Sequence, residues 1–201
     1  MPSTINDIFA AVGLTPAGAV RWDTPIPAAS PGVYAVSLSN DPAATPQSNI
    51  QCLIDPNAIQ QWLNVCPALS LDGQRPVVAA LSKRIAEFWL PDEHIVYIGL
   101  AGTNLRSRVH QYYRTPIGAR KPHAGGYFLK AIRNLSDLFV HYAPTGDPSG
   151  CEQKMLQAFC KNVSATTKSI LRDPGRPFPF ANLEHPPGTR KAHGLKGTRV
   201  H

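Results

Sequence analysis

Residues 95–114 constrain the fold more than any other stretch of this chain. They open with an apolar, β-rich run, Ile95 to Ile98. Gly99 and Gly102 then free the backbone for a turn, and Thr103 or Asn104 can cap a helix. In that helix Leu105, Val109 and Tyr112 recur at helical spacing and form the inward face. Arg108 lies one turn from each of Leu105 and Tyr112. A strand, a glycine turn and a helix thereby hold Tyr97, Arg108 and Tyr112 near one end of a sheet. One arginine and two phenols converging on a small volume suit a phosphodiester better than a core.

The 201 residues make one domain, enough to bury a real core. No apolar run reaches the roughly 18 residues that a membrane span needs, so no membrane contact is expected. The first eleven residues have neither a basic start nor a long apolar centre, so they do not read as a signal peptide. Cys52, Cys66, Cys151 and Cys160 form no Cys-x-x-Cys pair. They read as single thiols in a reducing cytoplasm, which is the expected location. The 20 prolines predict short elements joined by extended connections. Charge is lopsided: residues 1–100 hold four Lys/Arg against eight Asp/Glu, and residues 101–201 hold sixteen against five. A basic excess confined to one half is the footprint of a polyanion-binding face.

Along the chain, residues 3–12 read as a short helix capped by Ser3 or Thr4, stopped at Gly13. Residues 20–29 are extended and proline-broken, an edge strand or an arm. Residues 33–38 alternate as a strand, with Val33, Ala35 and Ser37 on one face and Tyr34, Val36 and Leu38 on the other. A short strand is expected at 50–54. Asp55 and Pro56 then start a helix, and residues 77–89 form a second, with Val77, Leu81, Ile85 and Trp89 on one side. These helices belong to an insertion, residues 40–93, between two strands that can pair. After residue 114 come a loop with Arg120 and Lys121, a helix over 127–134, a strand over 138–142 and a further helix. Glu152 sits on the inward side of that last helix, one turn before Met155. A carboxylate there is either a cap for the positive helix end or a functional group. Residues 186–201 carry Arg190, Lys191, Lys196 and Arg199 and no acid, and are expected to be a basic tail able to track a phosphate backbone. His185, His193 and Cys160 match no recognised zinc spacing.

In order, Gly32-Val33-Tyr34, Tyr97-Ile98-Gly99, Asn104-Leu105-x-x-Arg108, Glu152 and Asn182 make a series that resembles the GIY-YIG nuclease superfamily. The run from Arg108 to Tyr113 is most similar to the nuclease domain of the excinuclease C subunit. The resemblance covers residues 32–182 apart from the insertion. It implies an α/β fold of the α+β kind: a small central three-stranded sheet, antiparallel or mixed, flanked by helices. The insertion would lie between the first two core strands, within a single domain of residues 1–201. It also implies hydrolysis of DNA phosphodiesters with Mg²⁺ or Mn²⁺. On that pattern Glu152 is the sole protein ligand of the metal, Arg108 holds the scissile phosphate, and Tyr34 is the general base or bonds the attacking water. Tyr97 and Tyr112 position phosphate or water, and Asn182 orients the Glu152 side. His123, Arg114, Arg120, Lys121, Arg190 and Lys191 are the expected DNA contacts. Leu100 stands where many relatives have a lysine, a gap for Lys121 or Lys130 to fill. Leu100 also motivates a second class, a nucleic-acid-binding module with a weakened site. One active site cuts one strand, so double-strand cutting needs a homodimer or sequential nicks.

Overall fold

The computed structural model describes residues 2–45, 50–122 and 126–200. The chain runs through α1 (Ile5–Ala10), β1 (Gly18–Arg21), β2 (Gly32–Ser37), α2 (Pro56–Val65), β3 (Ser70–Leu71) and α3 (Val78–Ala86). It continues through β4 (Ile95–Ala101), α4 (Leu105–Arg114), β5 (Phe139–Pro144), α5 (Pro148–Asn162), α6 (Ala165–Ile170) and β6 (Leu195–Lys196). The fold is mixed α and β around an antiparallel sheet in the order β1-β5-β2-β4. The sheet has four strands where three were expected. The fourth is β1, from the proline-broken N-terminal stretch, paired to β5 from Gly18 opposite Tyr142 to Arg21 opposite Phe139. No described helix is long and apolar enough to cross a membrane.

Strand alternation divides the core as the sequence predicts. Val33 and Ala35 of β2 face α1 and α5, where they meet Ile5, Phe9, Met155 and Phe159. Tyr34 and Val36 face the other way, toward Leu105 and Val109 of α4 and Trp62, Leu81 and Ile85 of α2 and α3. The insertion therefore thickens the same core rather than forming a separate cap. One irregularity re-aims β4: Val36 pairs with Tyr97 but Ser37 pairs with Ile95. Val96 is thus an extra residue in a β-bulge, and Val96 and Tyr97 both pack into the α4 side.

Local chemistry sets the helix starts. Thr4 and Asp7 close a capping box on α1. The Asp55 side chain accepts from Asn57 N–H at 2.9 Å ahead of Pro56. Four expectations change. The 50–54 run is extended with only an Ile54–Ile132 bridge, because no neighbouring strand lies alongside it. The helix expected at 127–134 is a 3₁₀ turn, Tyr127–Ala131; no side chain caps it, and Ile132 is already extended. Val77 caps α3 from an exposed position instead of facing inward. The tail is docked: β6 pairs with β3, Trp62 Nε1–H donates to Thr198 O at 2.9 Å, and Val200 N–H donates to Gly118 O at 2.9 Å.

The prolines explain where much of the basic charge goes. Each proline removes a backbone N–H, so irregular segments hold carbonyls without backbone donors. Cationic side chains supply protons to carbonyls there, in two cases beside a backbone donor: Leu69 N–H also donates to Cys66 O at 3.0 Å and Asn182 N–H to Pro179 O at 2.9 Å. Arg75 donates to Cys66 O at 2.7 Å and Pro67 O at 2.9 Å, and also to Leu63 O and Leu69 O. Arg106 donates to Ile26 O and Pro27 O. Lys130 donates to Tyr113 O at 2.9 Å. Lys191, only 4% exposed, donates to Phe178 O, Pro179 O and Phe180 O at 3.1, 2.9 and 3.1 Å. Part of the basic excess is therefore internal scaffolding.

Candidate active site

The predicted residues gather around β4, the edge strand. Tyr34 lies opposite Gly99, and Tyr97 opposite Val36, so both phenols stand on the α4 side of the sheet. Their ring centroids are 5.9 Å apart, and Tyr97 is 5.2 Å from Tyr112. This packing explains the glycine of the second triplet. A Cβ on Gly99 would sit 2.7 Å from Tyr97 Cε1 and 2.9 Å from Tyr34 Oη. Gly99 is thus a strand residue over which two rings close, and the turn begins later, at Gly102. Asn104 caps α4 by accepting from Ser107 N–H at 2.9 Å.

The three phenols are not equivalent. Tyr34 is fully buried and shares a hydrogen bond with the Tyr97 hydroxyl. Burial first, then the neighbouring Tyr97 and Tyr112 hydroxyls, hold its pKa well above the ordinary value despite Arg108. A phenol so placed is harder to ionise than a free one, which favours the expected hydrogen-bonding role of Tyr34 over that of general base. Tyr97, 7% exposed, reaches the surface of a cavity. Burial and then the Glu152 charge push it up to about 12, while Arg108 and the hydrogen bond from Tyr34 pull the other way. Tyr112 donates to Gly126 O at 2.7 Å and packs edge-on against Trp22 at 5.3 Å. It anchors α4 to the 126 turn and does not line the cavity.

Glu152 is the informative group. It projects from the first turns of α5, half-buried, and lines the cavity with Tyr97. Its carboxylate makes no hydrogen bond or ion pair with any described residue, so it is no helix cap; Asp147 fills that role toward Gly150 N–H at 2.9 Å. Burial raises its pKa to about 7, against the pull of Arg108. Arg108 is half-buried too and likewise has no hydrogen-bond or ion-pair partner among the described residues. The two charges feel each other, yet among the described residues neither is satisfied. That leaves both free for a third group.

Asn182 does something other than orient Glu152. Its Oδ1 accepts from Ile98 N–H at 2.8 Å, and its Nδ2 donates to Ile98 O at 2.8 Å. Ala181 N–H donates to Val96 O at 2.8 Å. The 181–182 segment thus lies along the open edge of β4 and closes it, fixing the strand that carries Tyr97. Lys191 holds the carbonyls just before that segment. The same three bonds bury it away from any ligand, which corrects its expected contact with DNA.

The cavity has a volume of about 630 Å³ and opens beside β4 between α5 and the C-terminal segment. Arg120 and Arg190 line it, Arg190 paired with Glu184 at 2.6 Å. Arg114 is exposed elsewhere, 4.0 Å from Asp23, and Lys121 is exposed outside the lining. His123 lies outside the described residues. Leu100 points to the α5 side, away from Tyr34 and Tyr97. Lys130 is committed to the Tyr113 carbonyl and lies 5.5 Å over the Tyr112 ring, so it does not replace a lysine at position 100. Arg199, His185 and His193 also line the cavity. Sequence reading left their place open, because only the docking of the tail brings them there.

No group of three or more His, Cys, Asp or Glu able to hold a metal occurs among the described residues. What the site offers is one carboxylate, unpaired among the described residues, facing a roomy polar cavity. That donor set fits Mg²⁺, which takes oxygen ligands, keeps most of its water and is held by one or two carboxylates. No protein-family model, characterised protein or solved structure matches the chain.

Proposed function

We propose that the protein is a metal-dependent endodeoxyribonuclease, with Glu152 the protein ligand of a Mg²⁺ or Mn²⁺ ion. The observation that carries this reading is the Glu152 carboxylate, without a hydrogen-bond or ion-pair partner among the described residues, in one cavity with Tyr97 and in the field of Arg108. The metal would supply charge stabilisation at the leaving oxygen and on the phosphate. Arg108 grips the scissile phosphate through its planar fork, more strongly as negative charge builds. Tyr97, held protonated, donates to a phosphate oxygen or to the attacking water. Tyr34 and Asn182 fix Tyr97, one through its hydroxyl and the other through the backbone of Ile98.

A second reading, a nucleic-acid-binding module with a weakened site, draws on two observations. Burial raises the pKa of both phenols of the triplets, and position 100 holds a leucine in place of a lysine. The discriminating assay is incubation of supercoiled plasmid with Mg²⁺ or Mn²⁺. Nicking or cutting by the wild type, lost in Glu152→Ala with DNA binding retained, is the expected result. Intact plasmid and intact branched DNA with both metals would leave only the second reading.

A further inference from the structure

Phosphodiester hydrolysis needs a group that takes a proton from the attacking water, and the triplet residues supply none. Burial makes both of their phenols harder to ionise, and Glu152 is assigned to the metal. The wall built by the C-terminal segment carries a group that the triplets do not explain. His185 is 8% exposed and lines the same cavity as Glu152 and Tyr97. Its ring packs edge-on against Phe178 at 5.7 Å. Neither ring nitrogen has a hydrogen-bond partner among the described residues, and neither is sealed from the cavity.

The backbone fixes where this ring stands. His185 N–H donates to Thr189 O and Lys191 N–H to Leu183 O, both at 2.9 Å, closing a hairpin that the Glu184–Arg190 pair ties across at 2.6 Å. Lys191 holds the base of the hairpin on the carbonyls of Phe178, Pro179 and Phe180. Asn182, bonded to Ile98 next to Tyr97, begins the stretch that leads into His185. Three residues of chain reach at most about 10 Å, so His185 stands on the wall beside the strand edge that carries Tyr97.

No other titratable group lining the cavity among the described residues can take the proton. Arg120, Arg190 and Arg199 stay charged and offer no lone pair. Burial pushes the Tyr97 hydroxyl up to about 12 and raises Tyr127 too, although Thr198, Arg199 and Arg190 pull it back. Gly188 N–H and then Arg190 hold Glu184 below the usual carboxylate range, so it stays an occupied anion. Burial, then Arg190, Lys191 and Arg84, keep His193 neutral. Its Nδ1 already accepts from Leu195 N–H at 3.0 Å, so Nε2 carries the proton and no lone pair is left. Burial lowers the His185 pKa as well, which leaves a neutral imidazole with one bare nitrogen.

We propose that His185 is the general base of the nuclease, accepting the proton of the water that attacks the scissile phosphate. The proposal rests on the nuclease reading. As the water oxygen bonds to phosphorus, its proton passes to the bare imidazole nitrogen. The bond from phosphorus to the leaving sugar oxygen breaks, and that oxygen takes a proton from solvent. The imidazolium then returns its own proton to solvent.

The test follows single-turnover nicking of supercoiled plasmid by the full chain at saturating Mg²⁺, which keeps Glu152 ionised. His185→Phe keeps the packing on Phe178 but accepts no proton, and His185→Ala leaves room for free imidazole. Each should lower the rate constant about a hundredfold, with DNA affinity in the Glu152→Gln background unchanged within about twofold. Added imidazole should restore His185→Ala by about tenfold and leave His185→Phe unmoved. The wild-type rate should fall about tenfold per pH unit below the His185 pKa, a limb that both variants lack. Three results would overturn the role: His185→Phe cutting at the wild-type rate, a loss carried by DNA affinity alone, or no response of His185→Ala to imidazole. In each of them wild-type cutting keeps the nuclease reading intact. If the wild type nicks no plasmid, the nuclease reading falls and takes the base with it.

Discussion

Glu152→Gln should stabilise the fold while abolishing activity, and the gain should depend on pH. The carboxyl pKa rises from 4.5 to about 7 in the folded chain, mainly through burial. Below 4.5 the acid is neutral in both folded and unfolded chains and the substitution changes little. As pH rises from 4.5 toward 7, the unfolded chain ionises first, so wild-type stability falls. Above about 7 both states are ionised and the loss levels off. At about 1.4 kcal/mol per pKa unit the shift corresponds to roughly 3 kcal/mol. Partial exposure of the half-buried side chain lets water screen the charge and reduces this to about 1–2 kcal/mol. Glutamine keeps the shape and carries no charge. Urea denaturation should therefore give equal stabilities near about pH 4 and a variant more stable by about 1–2 kcal/mol near about pH 8. Adding Mg²⁺ should then narrow the gap by stabilising wild type alone, by about 2.7 kcal/mol at a hundredfold excess over Kd. A gap that does not change with pH would show that the carboxylate is not burdened by burial. A Mg²⁺ shift of equal size in both proteins would remove Glu152 as the ligand.

Three further outcomes follow from the same contacts. Lys191→Met keeps the volume but removes the ammonium from the carbonyls of Phe178, Pro179 and Phe180, of which Pro179 O keeps the Asn182 N–H, so it should cost about 2–3 kcal/mol in urea denaturation; a loss under about 1 kcal/mol would refute the scaffolding role of the buried cation. Tyr97→Phe should reduce kcat about a hundredfold and Tyr34→Phe only about tenfold, because Tyr34 acts through Tyr97; the reverse order in single-turnover cleavage would restore Tyr34 as the group that meets the reacting atoms. Gly99→Ala forces a methyl against both rings and should destabilise by about 1–3 kcal/mol, with a larger fall in activity than in melting temperature would imply. An unperturbed near-ultraviolet spectrum from the tyrosines would count against that packing.

Much of the site could be read from short-range pattern. The β2 alternation, the Asp55-Pro56 helix start, the Asn104 cap and the inward face of α4 all follow from residues within a turn or two of each other. So did the meeting of Tyr34 with Tyr97 and the inward placing of Glu152, once the two triplets were seen as neighbouring strands. The readings that changed depended on partners far away in sequence. Gly99 reads as a turn until Tyr34, from another strand, is laid across it. Asn182 reads as a partner of Glu152 until its amide is laid on Ile98, 84 residues earlier. β1 has no strand-like run of its own and exists because β5 offers an edge.

Periodicity, caps and the order of the two triplets were determined by the sequence itself, since each is a property of neighbouring side chains and backbone dihedrals. The fate of the charges was decided by tertiary structure. Composition shows a basic C-terminal half but not which cations face solvent. Lys191 and Arg75 are drawn inward by clusters of carbonyls in proline-rich segments, several of which have no other donor, because a buried, unbonded carbonyl costs more than a well-bonded ammonium or guanidinium. Arg108, Arg120 and Glu152 meet no such demand. Among the described residues they stay unpaired, and Arg120 and Glu152 line a cavity whose far wall forms only when the tail docks on the insertion.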